Sequence, residues 1–265
     1  MAKDGRSLIA IGFISIAILF LIYARIGNAE ITPNAVESVI RLGIAFYVML
    51  LLALGAIAFG FYQYQKFKVE KNQNDIFSII AQVTWSSKSR KIFIVISIGY
   101  GIFFALTSGI LVYQPDVIFS QNYGVTIPSA QIDPCCGEIG YVPKFFFYMT
   151  EHVGMLVIPI NLILQITVSC LVGLNASIAV NAFSILRKGA GMGSVAAATG
   201  LFIACPTCAG TFLSIFVSAS SALAFTIAVT QIQTLLIAVT IPLLVATPMI
   251  MSKKIKSSGW SCKIN

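Results

Sequence analysis

Residues 145–186 read FFFYMTEHVGMLVIPINLILQITVSCLVGLNASIAVNAFSIL, an apolar run with Glu151 as its one acid and no lysine or arginine. As a single helix it would measure about 63 Å at 1.5 Å per residue, roughly twice the thickness of a bilayer's hydrocarbon core. One crossing leaves a surplus; two crossings use all of it. The choice sets the side of the membrane for every later segment. Two crossings would put Arg187, Lys188 and the basic tail outside, against the tendency of basic loops to stay cytoplasmic. One crossing is therefore expected. Residues 145–158 should lie along or above the outer surface, with a bend near Gly154 or Pro159.

The rest of the chain has the same character. It is 58% hydrophobic and only 10% charged over 265 residues. Apolar stretches long enough to cross hydrocarbon fall near 7–26, 39–62, 92–113, 153–186, 194–218 and 222–251. The expected fold is all-α: a polytopic membrane helix bundle of about six transmembrane helices. It is read as a single transmembrane domain over 1–265, with one inner interfacial helix and a long outer loop. The net charge of +8 does not point to nucleic acid, because of where it sits. Of 17 basic residues only Arg25, Arg41 and Lys144 fall on the outer side; the other 14 lie in the inner loops and tails. This places the protein in the cell membrane with both termini cytoplasmic, and gives its inner face an affinity for anionic lipid. Lys3 and Arg6 before an apolar core from Leu8 to Tyr23, with Gly27-Asn28-Ala29 after it, also fit a cleaved secretory signal. An uncleaved anchor is the preferred reading, and the remaining topology is the same either way.

Two connections carry their own pattern. In the inner loop 63–91, Ile76, Ile79, Ile80 and Val83 repeat along one helical face, with Asn74 or Asp75 available as N-cap. Residues 75–85 are read as an amphipathic helix, either in the inner membrane interface or packed on the bundle. The outer loop 114–143 is broken by Pro115, Pro128, Pro134 and Pro143 and is expected to lack helix. A short hairpin over 117–127, turning at Asn122-Tyr123-Gly124, is the local expectation there.

The chemistry-bearing residues are cysteines. Cys205-Pro206-Thr207-Cys208 lies inside an apolar run from Ser194 to Val217, and a reactive pair at that depth is a functional candidate. Pro206 also frees a backbone carbonyl that, in lipid, needs another partner. Counted from the shared inner turn, Cys170 and Cys208 sit about 24 Å and about 21 Å up neighbouring antiparallel helices, with Cys205 one turn lower. Cys170, Cys205 and Cys208 are thus the expected dithiol cluster. Outside the membrane, Cys135 and Cys136 are adjacent. A disulfide between neighbours departs from normal geometry, so separate bonds or shared ligation of one soft metal fit better. Cys135, Cys136, Glu138 and His152, with Asp133 and Glu151 nearby, form the expected metal set for copper or zinc. Cys262 reads as a cytosolic thiol.

An intramembrane Cys-x-x-Cys with outer loop cysteines resembles the cysteine sets of the membrane disulfide-forming oxidoreductases and the vitamin K epoxide reductases. Vicinal cysteines near a membrane pair are also similar to mercuric-ion transport proteins. Both resemblances cover the cysteines alone and no continuous stretch, and the six expected spans exceed the four or five of the quinone-linked families. The first resemblance implies a thiol–disulfide electron relay with a quinone as cofactor and an extracytoplasmic thiol protein as partner. The second implies a carrier or chaperone for a soft cation such as Cu(I). A third reading, a scaffold subunit of a membrane complex with inert thiols, asks nothing of the cysteines except packing.

Overall fold

The computed structural model describes residues 5–27, 36–71, 75–134, 140–186, 241–242 and 244–253. The chain divides into two compact units: residues 1–67 with 108–165, and residues 68–107 with 166–265. Among the described residues four helices are long and apolar enough to cross a membrane: α1 (Arg6–Gly27), α2 (Val36–Lys71), α4 (Ser87–Thr107) and α6 (Pro159–Leu186). The expected span 194–218 and the first part of span 222–251 lie outside the described residues.

In the first unit α1 and α2 pack closely because a glycine removes the obstacle. A Cβ on Gly12 would come within 2.4 Å of Ile57 Cγ1 and 3.1 Å of the Ala53 carbonyl. At the other end of this pair, Tyr23, Phe46, Leu50 and Val142 form a buried cluster with edge-on rings, Tyr23 and Phe46 having centroids 5.0 Å apart. That cluster supports the part of the chain that is not helical.

The all-α expectation fails between residues 108 and 158. Four antiparallel strands form one sheet there: β1 (Leu111–Tyr113), β2 (Ser129–Asp133), β3 (Lys144–Tyr148) and β4 (Val153–Val157), in the order β1-β4-β3-β2. The surplus of the 42-residue run is thus two strands and their turn, and α6 starts at Pro159, one of the two expected bend points. The Phe-rich 145–148 stretch suits a strand, and all five residues of β3 are half-buried. The hairpin expected over 117–127 is replaced by a short helix, α5 (Phe119–Tyr123), closed by Gly124 in the left-handed conformation at φ 63°. Glycine takes that conformation without steric cost, so Asn122-Tyr123-Gly124 ends a helix here instead of reversing a hairpin.

The sheet also accounts for the length of α2. Its 36 residues span about 54 Å, far more than hydrocarbon requires. The N-terminal turns flank the sheet: Gly43 faces Ile132 and Pro143, and the Tyr47 ring meets Phe145 edge-on.

In the second unit α3 (Ile76–Trp85) starts at Asp75, whose carboxylate accepts from the Ile76 N–H at 2.9 Å. The other carboxylate oxygen meets Lys68 Nζ at 3.1 Å, tying α3 back to the end of α2. Ile79, Ile80 and Val83 pack with Ile178, Leu174 and Met251. The face read from periodicity is therefore a packing face, while Phe77 stays exposed. Helices α4 and α6 run antiparallel, with Ser97 against Gly173 and Ser169 against Gly101. The helical residues 244–253 run parallel to α6: Leu244 clusters with Val168 and Val172, and Met251 with Ile178 further along.

Candidate functional site

Of the residues expected to carry chemistry, Cys170 and His152 are described; Cys135, Cys136, Glu138, Cys205, Cys208 and Cys262 lie outside the described residues. Cys170 is a free cysteine on the exposed side of α6, beside the buried Val168, Ser169 and Val172. Its proximity to Cys205 and Cys208 therefore falls outside the described geometry.

Cys135, Cys136 and Glu138 belong to the connection between β2 and β3, and both flanks of that connection are fastened. On the near flank the Tyr23 hydroxyl of α1 donates to the Pro134 carbonyl at 2.7 Å. On the far flank the Ile160 N–H, in the first turn of α6, donates to the Gly140 carbonyl at 3.0 Å. Below it the Tyr47 hydroxyl lies 2.7 Å from the carbonyls of both Pro143 and Val157, one proton serving two acceptors. Asp133 and Lys144 are cross-strand partners at the mouth of the connection. These carbonyls cannot be satisfied by strand neighbours, because the ladder stops where the chain turns. Carbonyls withdrawn from water need donors from elsewhere, and Tyr23, Tyr47 and the first turn of α6 supply them.

His152 and Glu151 sit at the opposite end of β3, in the turn to β4, about 14 Å from Lys144 along the strand. They do not pair with each other. Glu151 Oε2 accepts from the Ser120 hydroxyl at 2.8 Å and from the Ser120 N–H at 3.2 Å, holding the start of α5. His152 Nδ1 lies 3.2 Å from the Gln114 carbonyl and 3.1 Å from the Val117 carbonyl. Two carbonyl acceptors assign the proton to Nδ1, so the neutral ring keeps its lone pair at Nε2. That is the tautomer a metal-bound histidine adopts when its second nitrogen is tied to a carbonyl. A metal shared by His152 and Cys135 or Cys136 requires the intervening chain to fold back along β3. Among the described residues, no group of three His, Cys, Asp or Glu side chains is arranged to hold a metal ion.

An aromatic group lies over the same end of the sheet. Phe119 is buried against Tyr148 at 5.3 Å between centroids, and Tyr123 lies 6.3 Å from Tyr148. Burial, with a smaller contribution from Tyr123, pushes the Tyr148 phenol above its ordinary pKa.

Sequence reading missed the tyrosine anchors and Asn175, which reaches from α6 to the carbonyl of Leu244. One signal for Asn175 was present: Pro248 stands four residues after Leu244 and removes that carbonyl's helical donor. Compared with known proteins, the chain matches no family model, no curated protein and no solved structure.

Proposed function

We propose that this chain is a multi-pass protein of the cell membrane that relays electron pairs between Cys205/Cys208 in the bilayer and Cys135 and Cys136 outside it. In either direction two electrons and two protons move together. One thiol pair closes to a disulfide as it gives them up, and a disulfide on the other side opens to two thiols as it takes them. On the outer side that disulfide joins Cys135 or Cys136 to a thiol of a partner protein, not the two neighbours to each other. A membrane quinone, which accepts two electrons and two protons to become the quinol, is the class of cofactor that suits the inner pair, and an extracytoplasmic thiol protein suits the outer one. The observation that supports the reading is the fastening of the Cys135–Cys136 connection at both flanks to α1 and α6. A relay into the bilayer needs its outer thiols held near the helix ends.

The topology proposed with it is six spans, both termini cytoplasmic and the sheet outside, with anionic lipid against the basic inner face. Two features support it: the 14-to-3 split of basic residues, and the parallel course of α6 and 244–253. Parallel helices require the chain between them to cross back once. An impermeant maleimide on intact cells should label a cysteine placed at Thr126, which is exposed, and not one placed at Lys253, in a background lacking the native cysteines. Labelling of position 253 from outside overturns the topology.

A second reading is a carrier or chaperone for a soft cation such as Cu(I), favoured by the lone pair left on His152 Nε2. Purified protein, titrated for free thiols under oxidising and reducing buffers and assayed for bound copper and zinc, separates the two. The relay predicts that two thiols appear and disappear with the buffer, and that Cys205→Ser or Cys208→Ser abolishes the change. The carrier predicts bound metal that is lost in Cys135→Ser, Cys136→Ser and His152→Ala. A scaffold with inert thiols gives neither signal.

A further inference from the structure

Asn175 is a primary amide in the apolar interior of the second unit, nine-tenths buried. Its Nδ2 group lies 2.9 Å from the carbonyl of Leu171, one turn back on α6, and 2.9 Å from the carbonyl of Leu244 on the neighbouring helical segment. Its Oδ1 is buried without a hydrogen-bond partner among the described residues. The orientation is not arbitrary: the reverse flip would bring three oxygens together. An amide with only one end satisfied is a costly thing to bury, so the donor end must answer a particular need.

The need is visible in the partner helix. The carbonyl of Leu244 would normally accept from the N–H of residue 248, and residue 248 is proline, which has none. Leu244 is almost fully buried beside the apolar Val168 and Val172, neither of which has a side-chain donor to offer. In lipid the carbonyls released by proline are satisfied by neighbouring helices or by side chains.

We propose that Asn175 is the replacement donor for the backbone bond that Pro248 deletes. It is a positioning residue that fastens the helical residues 244–253 to α6 at the point where Pro248 deletes a backbone bond. At the joint a side-chain bond stands in for a rung of the backbone ladder, and both helices share it. Its strength therefore sets how firmly that helical segment is held at Pro248, so a change at Asn175 acts on a helix remote from it in sequence. The inference does not depend on the cysteines or on the direction of the chain across the membrane.

The test is a thermodynamic cycle of four full-length proteins in detergent: wild type, Asn175→Ala, Pro248→Ala and the double variant, each followed by reversible unfolding. Alanine in place of the proline restores the N–H and makes the amide dispensable. With Pro248 present, Asn175→Ala should lower the folded-to-unfolded ratio by about fivefold or more, because a buried carbonyl left without a donor loses more than an average interhelical bond. In the Pro248→Ala background the same substitution should change the ratio by about twofold or less. Equal losses in the two backgrounds overturn the proposal. If Asn175→Ala does not fold, the double variant decides: folding of the double supports the joint, and its failure overturns it. Failure of Pro248→Ala alone also overturns it, since the restored backbone bond should at least equal the amide.

Discussion

The sheet-bearing end of the first unit and the helical interior of the second solve the same problem in opposite ways. In the sheet region the backbone turns repeatedly, and its carbonyls at the turns are met by donors far away in sequence. Tyr23 reaches Pro134 and Tyr47 reaches Pro143 and Val157, across separations of 96 to 111 residues. In the second unit the helices satisfy their own backbones, so the contact between α4 and α6 is left to small residues and close approach. A long-range polar link in that unit, Asn175 to Leu244, occurs where a proline has broken the ladder. The lesson is that polar side chains are placed where regular structure stops, and small ones where it continues.

That contrast makes quantitative demands. The largest effect should come from Gly173, where a Cβ would fall 2.0 Å from Ser97 Oγ and 2.9 Å from the Phe93 carbonyl. The serine can rotate away, but the carbonyl belongs to a helix and cannot. Gly173→Ala should cost about 1–3 kcal/mol in detergent unfolding, and Gly173→Leu should abolish recovery of folded protein on size exclusion. A Gly173→Leu protein of normal stability would remove close approach as the explanation of the α4–α6 contact.

Next comes Tyr47→Phe, which keeps the ring contacts with Phe46 and Phe145 and deletes the hydroxyl that donates to two carbonyls and faces the Phe145 backbone. A loss of about 1–3 kcal/mol is expected, with faster amide exchange in β3 and β4 than in α4. Uniform acceleration across both units would break the regional contrast. A smaller effect is expected for Glu151→Ala, which removes the acceptor for the Ser120 N–H and hydroxyl: about 1 kcal/mol, by analogy with loss of a helix cap. Its signature is local, a new protease-sensitive site within 114–123 while the helices stay protected. Last, Gly99→Ala lies in the same helix as Ser97 but has nothing within 4 Å of the added Cβ. It should be neutral or stabilising by up to about 1 kcal/mol, the ordinary helical preference for alanine. Measured beside Gly173→Ala, it separates packing from propensity.

Legibility from the sequence followed the same division. Asp75 as one of two candidate N-caps, the apolar face of α3 and the start of α6 at one of two candidate bends were readable, each resting on residues within a turn or two of one another. The sheet was not, although two of its four strands, β3 and β4, lie in the stretch that exceeds one crossing. Periodicity alone does not tell an uninterrupted run such as Phe145-Phe146-Phe147-Tyr148 from the beginning of a buried helix. The candidate site was legible as a set of reactive residue types. Its geometry was not: Glu151 and His152 are adjacent in sequence yet hold different segments, at the far end of β3 from the connection that carries Cys135 and Cys136.

By itself the sequence determined that long apolar helices dominate the chain, where four of them run, and how its basic residues are apportioned between connections. Helical hydrogen bonds close within four residues and hydropathy is a local sum, so both are written along the chain. Only the tertiary structure decided that the surplus beyond α6 becomes strands, that tyrosines of α1 and α2 fasten the β2–β3 connection, and that Asn175 meets Leu244. The tyrosine and asparagine links join residues 69 to 111 positions apart. No local pattern encodes them, because each exists only once packing has brought a donor to an acceptor that its own neighbours left unsatisfied.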